Sequence, residues 1–432
     1  MAQTTNLWPV KRLKFAATIN DETLTEETPP DFEIQYVDIG NVGSDGSIEE
    51  IATYRFENAP SRARRIVRDG DVIISTVRTY LQAIASIENP AGNLIVSTGF
   101  AVIRPKAGVL NPHFCKYAIR EPEFLAEVIK RSVGISYPAI NASEIGDIPV
   151  PIPPLTAQRA IADYLDRETE RVDALLAEKG RLLGLLVEKR RAIITRAVTH
   201  GLNPGVPLRD SGLPWLGLIP EHWEVKRLKH VTTKMEQGWS PQCESFPASE
   251  GEWGVLKAGC VNGPVLDENE NKRLPDSETP IPELEIKSGD ILMSRANTTE
   301  LLGSCVYIEE VSPQLILCDK LYRFHPETGK IAGSFLVHFL RAHPGRFVME
   351  REASGASNSM QNIGQETVKN LFIPVPPLPE QRAIVTHIAT ATAKLDKLRA
   401  SAERTIALLK ERRAALIAAA VTGRIAIPAT PA

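Results

Sequence analysis

Two stretches of this chain are one helix written twice. Leu155-Thr156-Ala157-Gln158-Arg159-Ala160-Ile161 returns 223 residues later as Leu378-Pro379-Glu380-Gln381-Arg382-Ala383-Ile384, and the offset holds without a gap to Thr199 and Thr422. Nineteen of those 45 aligned positions are identical. A repeat of this length fixes the plan of the chain before any local reading does. Each copy follows a proline-rich extended stretch, Ile148-Pro149-Val150-Pro151-Ile152-Pro153-Pro154 and Ile373-Pro374-Val375-Pro376-Pro377. The blocks ahead repeat more weakly. Trp8-Pro9-Val10-Lys11-Arg12-Leu13-Lys14 matches Trp223-Glu224-Val225-Lys226-Arg227-Leu228-Lys229, and Gly70-Asp71-Val72-Ile73-Ile74-Ser75 matches Gly289-Asp290-Ile291-Leu292-Met293-Ser294. The order is variable block, long helix, variable block, long helix.

Beyond Pro379 at the start of the second, the repeated segments contain no proline, and both carry a heptad. In the first, Ile161, Leu165, Glu168, Val172, Leu175, Lys179, Leu182, Leu186, Lys189, Ile193 and Arg196 recur at spacings of four and three. In the second the same frame gives Ile384, Ile388, Ala391, Leu395, Leu398, Ala402, Thr405, Leu409, Arg412, Leu416 and Ala419. That spacing predicts an apolar seam on each of two helices about 67 Å long. Leu176, Leu183, Ile194, Ile406 and Ile417 flank the seam and widen it, which suggests a further partner along these helices. A plain helical-hairpin core is the alternative.

The variable blocks read as mixed α/β domains. Val72–Ser75, Ile84–Ile87, Leu94–Ser97 and Phe100–Ile103 are short β-rich runs between Asn, Pro and Gly. Pro112 to Lys130 reads helical, with Phe335 to Arg351 as its counterpart. His200 to Trp223, with four prolines and four glycines, reads as a linker. The expected fold class is α+β: two mixed α/β recognition domains joined by two long helices in an antiparallel coiled coil, with an internal pseudo-two-fold repeat. The expected boundaries are 1–150, helix 151–200, linker 201–222, 223–375, helix 376–425 and tail 426–432.

Composition narrows the function. The longest apolar run near the C-terminus, Ala414 to Val421, is too short to span a membrane, and no signal-peptide pattern opens the chain. Five widely spaced cysteines (115, 243, 260, 305, 318) suit neither a disulfide framework nor a zinc site, so a reduced, cytoplasmic, metal-free protein is expected. The net charge of −3 is uneven: −4 over residues 1–150, +2 over 155–199, −6 over 200–372 and +5 over 373–432. Two acidic blocks need explaining if the partner is DNA.

Two related domains on two copies of one helix form a ruler. Paired antiparallel, the helices suit two half-sites about 34–36 Å apart on one face of a duplex, and dissimilar domains imply dissimilar half-sites. At this point the chain resembles the specificity (S) subunit of Type I restriction–modification enzymes over essentially its full length. The resemblance rests on Ser211-Gly212-Leu213-Pro214-Trp215-Leu216-Gly217-Leu218-Ile219-Pro220-Glu221-His222-Trp223, on the paired Ile-Pro-Val-Pro…Leu-x-x-Gln-Arg helix starts, and on the twin order of domains and helices. It implies two target-recognition domains, no catalysis by this chain, and assembly with two methyltransferase (M) subunits that use S-adenosylmethionine. Two nuclease–translocase (R) subunits, with ATP and Mg, would complete a restriction complex. The partners could supply phosphate contacts and leave base reading to this chain, which makes the acidic blocks tolerable.

A locally basic surface is still needed, and Arg62, Arg64, Arg65 and Arg68 form the first candidate. For base reading the candidates are Arg78 and Tyr80 after the Gly70–Ser75 run, and Arg295 and Asn297 after its counterpart, since Arg can clasp guanine and Asn adenine. A second loop precedes each proline stretch: Ser136-Tyr137 in one half, Ser359-Met360-Gln361-Asn362 in the other. Gln158-Arg159 and Gln381-Arg382, in the first helical turns, are expected to dock a partner subunit or the opposite domain, the alternative being a solvated face.

Enzyme motifs are weak. Asn111-Pro112-His113-Phe114 resembles an amino-methyltransferase loop but lacks the second Pro and a Gly-rich cofactor loop. Pro275-Asp276 with Glu285-Ile286-Lys287 imitates a Mg²⁺ nuclease motif, yet Ile66-Val67-Arg68 stands at the Glu-x-Lys positions of the other half. Rivals to the S-subunit reading are the specificity chain of a Type IIB system and an interaction scaffold that never touches DNA.

Overall fold

The computed structural model describes residues 7–43, 45–357 and 360–427. It divides into two compact units, one of residues 1–180 with 403–432 and the other of 181–402. The division runs through both long helices, so each unit holds the start of one helix and the end of the other.

The first unit is built on an antiparallel sheet in which Phe100–Pro105 lies between Ala17–Ile19 and Val72–Ser75, with Ile84–Ser86 outermost. A second sheet orders Ala52–Arg55, Glu33–Val37, Leu94–Ser97 and Ala63–Ile66, with a parallel pair at its centre. The second unit repeats the plan. Glu236–Gln237, Leu321–Phe324, Ile291–Ser294 and Cys305–Tyr307 form the antiparallel sheet, and Gly254–Leu256 pairs parallel with Leu315–Ile316. The strands expected at 72–75, 84–87, 94–97 and 100–103 are present, fully or nearly so.

The helix expected over 112–130 is two, Pro112–Ala118 and Pro122–Arg131, and its counterpart splits into Gly333–Arg341 and His343–Arg351. Pro122 and Pro344 lie in the first turn of the second helix of each pair, where neither can donate back to the helix before it; the breaks fall at Glu121 and Ala342, both extended. The linker is not featureless either. Leu208–Asp210 pairs with Leu218–Pro220, and Leu216, Ile219 and Trp223 enter the core of the second unit.

The long helices span Leu155–His200 and Leu378–Val421. In the first unit Ile161 and Leu165 share a core with Ile417, Ala420 and Val421, and Arg413 Nε lies 3.0 Å from Asp173 Oδ1. In the second, Ala197 and Val198 share a core with Ile384 and Ile388, and Arg190 bonds Asp396. The start of one helix meets the end of the other in each unit, so the pairing is antiparallel. Asp173 and Asp396, like Arg190 and Arg413, are equivalents across the 223-residue offset, so one ion pair is made twice.

The seam is a heptad, and 16 of the 22 expected positions are buried or half-buried. Ile161, Leu165, Val172, Leu186, Ile193, Ile384, Ile388, Leu395, Leu409 and Leu416 are buried or half-buried, as expected. Leu175, Leu182 and Leu398 are 44%, 36% and 49% exposed, and Thr169, Leu176, Leu183 and Ala197 take the inward positions. The doublets Leu175-Leu176 and Leu182-Leu183 offer two seams one residue apart, which periodicity cannot separate. The domains choose between them. Thr169 is buried beneath the Tyr117 hydroxyl at 3.1 Å, and Ala197 is fixed in the second core.

Candidate nucleic-acid interface

Each recognition domain is seated on its helix by one glutamine. Gln158 is fully buried. Its Oε1 accepts the Asn111 N–H at 2.7 Å, while its Nε2 donates to Val109 O at 2.9 Å and Pro153 O at 2.8 Å. Gln381 is equally buried and repeats the set: Ala332 N–H at 2.7 Å, Lys330 O at 3.2 Å, Pro376 O at 2.8 Å. Both side chains are therefore closed to a partner and to solvent. Each joins its own domain, not the opposite one, to its helix. Arg159 and Arg382, one residue on, are exposed.

In the first domain the two candidate loops meet. Val77 and Ala139 form a bridge, the Arg78 N–H donates to Pro138 O at 2.7 Å, and Ile140 N–H donates to Thr76 O at 2.9 Å. Arg78 and Gln82 both adopt left-handed backbone (φ 51° and 53°), which turns the loop out of the sheet. The Arg78 guanidinium stacks over the Tyr137 ring at 4.6 Å. Tyr80, Ser136 and Tyr137 are exposed, beside Leu81, Val133 and a fully exposed Ile135. Arg78, Tyr80, Ser136 and Tyr137 thus form one ordered, outward platform, although some 60 residues separate the two loops in sequence.

The second domain brings its loops together differently. Ala296–Asn297 pairs with Met360–Asn362 as a short ribbon. Arg295 and Asn297 are not free readers at its tip. Arg295 lies part-buried, donating to Asp319 O at 3.3 Å and packed over the Tyr322 ring at 5.9 Å. Asn297 donates to Asn262 Oδ1 at 3.1 Å and accepts Thr298 N–H at 2.9 Å. The Ala296–Asn362 pair is the counterpart of the Val77–Ala139 bridge, and here the pairing extends one step further, to Asn297–Gln361, at the position where Arg78 turns left-handed in the first domain. Gln361 and Asn362 are half-buried in it, Met360 is exposed, and Ser359 lies outside the described residues.

The arginine cluster does not form one basic face. Ala63–Ile66 is a strand, so neighbours point to opposite sides. Arg62 is exposed; Arg64 stacks on Phe56 at 4.6 Å; Arg65 is half-buried, its pKa lowered by burial. Arg68 is bound by Glu22, Nε to Oε1 at 2.7 Å. Hydrogen bonds from Arg68, then Arg104, hold the Glu22 carboxyl down at about 2. Arg104 also makes a bidentate pair with buried Asp71 at 2.9 and 2.8 Å. The second domain has the same framework, with Arg323 beside Glu236 and Asp290. The recurring Gly-Asp motif is thus structural: Asp71 and Asp290 each accept a turn N–H, from Arg68 and Lys287.

Sequence reading missed a second buried cation of this kind. Arg120 donates to Ile84 O and Arg341 to Cys305 O at 2.9 Å, tying matching helices to matching strand edges. Burial drives the Arg120 pKa down to about 10. The enzyme-like motifs have structural partners. Asn111 caps its helix by accepting Phe114 N–H at 3.0 Å; Asp276 pairs with Arg273 at 2.8 Å; Glu285 accepts Gln314 N–H at 2.9 Å. Among the described residues, no helix is long and apolar enough to cross a membrane.

The family model for the Type I restriction modification DNA specificity domain matches residues 32–179 and 220–403. The Type I restriction enzyme EcoEI specificity subunit of Escherichia coli is 32% identical over 219 residues, 50% of this chain but only 36% of that protein. The EcoKI specificity subunit of E. coli strain K12 is 24% identical over 332 residues, 75% of this chain and 68% of that protein. Among solved structures, a chain from work on complex assembly and conformational transition of the type I R-M system has the same fold (TM-score 0.75, 24% identity, 98% of this chain and 100% of that one). The HsdS subunit from Thermoanaerobacter tengcongensis matches at a TM-score of 0.51 and 25% identity, over 97% of each chain. With the family model covering both recognition domains and much of both helices, the chain belongs to the Type I restriction modification DNA specificity family, which is defined by the selection of DNA and not by catalysis.

Proposed function

We propose that this chain recognises an asymmetric, bipartite DNA sequence, each half read by one domain, with the two long helices setting the spacer. The carrying observation is that two domains of one topology, each seated by the same buried glutamine, present unlike loops: a turned-out Arg78–Tyr137 platform in one and a short β-ribbon in the other. Common scaffolds with different reading surfaces suit two different half-sites. In the first domain the aromatic and guanidinium groups of Arg78, Tyr80 and Tyr137 offer stacking and bidentate hydrogen bonds to base edges.

The chain would act without cofactors of its own, recruiting two methyltransferase subunits that bind S-adenosylmethionine and, in a restriction complex, two nuclease–translocase subunits that use ATP and Mg. Exposed leucines on both long helices, two of them displaced from the expected seam, support a docked partner. Leu175 and Leu408 are exposed in the first unit, and their repeat equivalents Leu398 and Leu185 are exposed in the second. The same apolar pair offered twice suits two copies of one partner. Genome-wide mapping of methylated adenines with and without this gene tests the reading: one bipartite motif should lose its methylation on deletion. Deletion that changes no methylated motif would reject it.

A further inference from the structure

The stretches Val10–Arg12 and Glu224–Arg227 pair with Pro149–Pro151 and Phe372–Val375 in matching ways. Leu13 and Leu228, which follow them, are both fully buried, and donate to Ile148 O at 3.0 Å and Leu371 O at 2.8 Å. On this shared scaffold Arg12 and Lys14 correspond to Arg227 and Lys229. Asp147 corresponds to Asn370 across the 223-residue offset. In the first domain both cations close on a carboxylate, at 3.3 and 2.6 Å from Asp147 Oδ1. Lys14, and then Arg12, hold that carboxyl below its usual range.

In the second domain the same two cations close on a neutral amide. Arg227 Nη1 and Lys229 Nζ donate to Asn370 Oδ1 at 3.2 and 2.8 Å. The amide's orientation is fixed by its other end, because Nδ2 donates to Glu366 O at 2.8 Å, with Glu366 Oε2 at 3.5 Å. Oδ1 is therefore the atom that faces the cations. The neighbouring acids are engaged elsewhere: Glu366 pairs with Lys369 and Glu224 with Lys226. Among the described residues neither Arg227 nor Lys229 has a carboxylate partner, and both are exposed. Each uses one donor on Asn370 and keeps its others open. The Arg227 guanidinium lies 5.2 Å from the Phe372 ring, which restricts its swing. His230 is exposed beside them.

A preset pair of cations around one neutral oxygen is an incomplete anion site. We propose that Arg227 and Lys229, held by Asn370, take a phosphate of the DNA backbone, and that Asp147 fills the corresponding site in the first domain. The inference rests on the DNA-recognition reading and adds a sequence-independent anchor to it. It also answers the charge problem, since residues 200–372 carry a net −6 and need a local cationic surface to lie on DNA.

Asn370→Asp tests it by importing the first domain's own solution. The first domain holds its carboxylate with Ser143 where Glu366 stands here, and the variant gives up the Nδ2 bond to Glu366 O, so some loss of stability is expected and its melting temperature is measured beside its affinity. The chain is assembled with its methyltransferase subunits, and affinity is measured from about 50 to 200 mM salt on a duplex carrying the mapped motif and on a scrambled duplex. Asn370→Asp, and separately Arg227→Ala with Lys229→Ala, should weaken both duplexes alike, by about three- to tenfold, and flatten the log–log salt slope by about one. An unchanged slope would overturn the proposal, and so would loss confined to the mapped motif, which marks a base contact. Impaired methyltransferase assembly with unchanged DNA affinity would assign the anion to a partner carboxylate and overturn it too. A wild-type assembly with no affinity for either duplex would instead reject the DNA-recognition reading, and this inference with it.

Discussion

Replacing Gln158 by Ala should loosen the first recognition domain from its helix and leave the second untouched. The substitution removes three hydrogen bonds at once: one accepted from Asn111 N–H and two donated to Val109 O and Pro153 O. A buried polar group left without a partner costs about 1–3 kcal/mol. The Asn111 and Val109 groups are part-buried and can recruit water, so they belong at the low end; the bond to Pro153 O is buried. The expected loss is about 3 kcal/mol. Gln381→Ala should cost slightly less in the second unit, because the bond to Lys330 O is longer at 3.2 Å. Gln158→Glu should be worse than alanine: it keeps the acceptor but points a negative charge at two carbonyl oxygens. Hydrogen exchange separates the units where a single melting curve would not. Protection should fall across residues 109–118 in Gln158→Ala and around 330–341 in Gln381→Ala. A loss below about 1 kcal/mol, or one spread over both units, would refute the seating role.

Further expectations follow from the same geometry. Asp173→Arg should weaken the helix pairing by about 1 kcal/mol and Arg413→Asp, added to it, should restore most of that, as read by a double-mutant cycle; the half-exposed carboxylate keeps the magnitude small. Glu22 is held at about 2 against an ordinary 4.5, so its stabilisation is full above pH 4.5 and fades as pH falls towards 2. The difference in melting temperature between wild type and Glu22→Gln should shrink over that window, and a constant difference would contradict the pairing. Arg78→Ala should relax one base position by about 1–3 kcal/mol in binding to sequence variants, whereas Arg295→Ala should lower melting temperature instead, since its side chain packs on Tyr322. Leu185→Asp with Leu398→Asp should reduce co-purification of methyltransferase subunits at unchanged melting temperature; unimpaired assembly would exclude those leucines from the interface.

Features that depend on periodicity and repetition were legible in the sequence. A gapless offset and a proline-free heptad are enough to specify two paired helices, and the strand at 72–75 could be located because its apolar residues end at Gly-Asp and Ser. The choice between Leu175 and Leu176 was not legible. Both are leucine, and contacts with Tyr117 and the second core, far away in sequence, decide which turns inward. Arg78 and Tyr137 were named as separate candidates, but their stacking depends on a left-handed turn at Arg78, a conformation its residue type does not announce. Asn297 stands at Arg78's place across the Gly-Asp match and is held by Asn262 and Thr298, while Arg295 matches Thr76 and packs inward on Tyr322. The recurrence of Gln158 and Gln381 was visible, yet a glutamine in a first helical turn carries no sign of full burial. The repeat alone could not single it out, because Arg159 and Arg382 recur beside it in the same way and are exposed.

The most direct test is a domain exchange. Residues 1–150 are replaced by the corresponding domain of a relative with a different methylated motif, and methylated adenines are mapped across the genome. Independent reading predicts a new 5′ or 3′ half-motif joined to the original other half, with the gap unchanged. A motif altered in both halves, or a different gap with both helices intact, would contradict it.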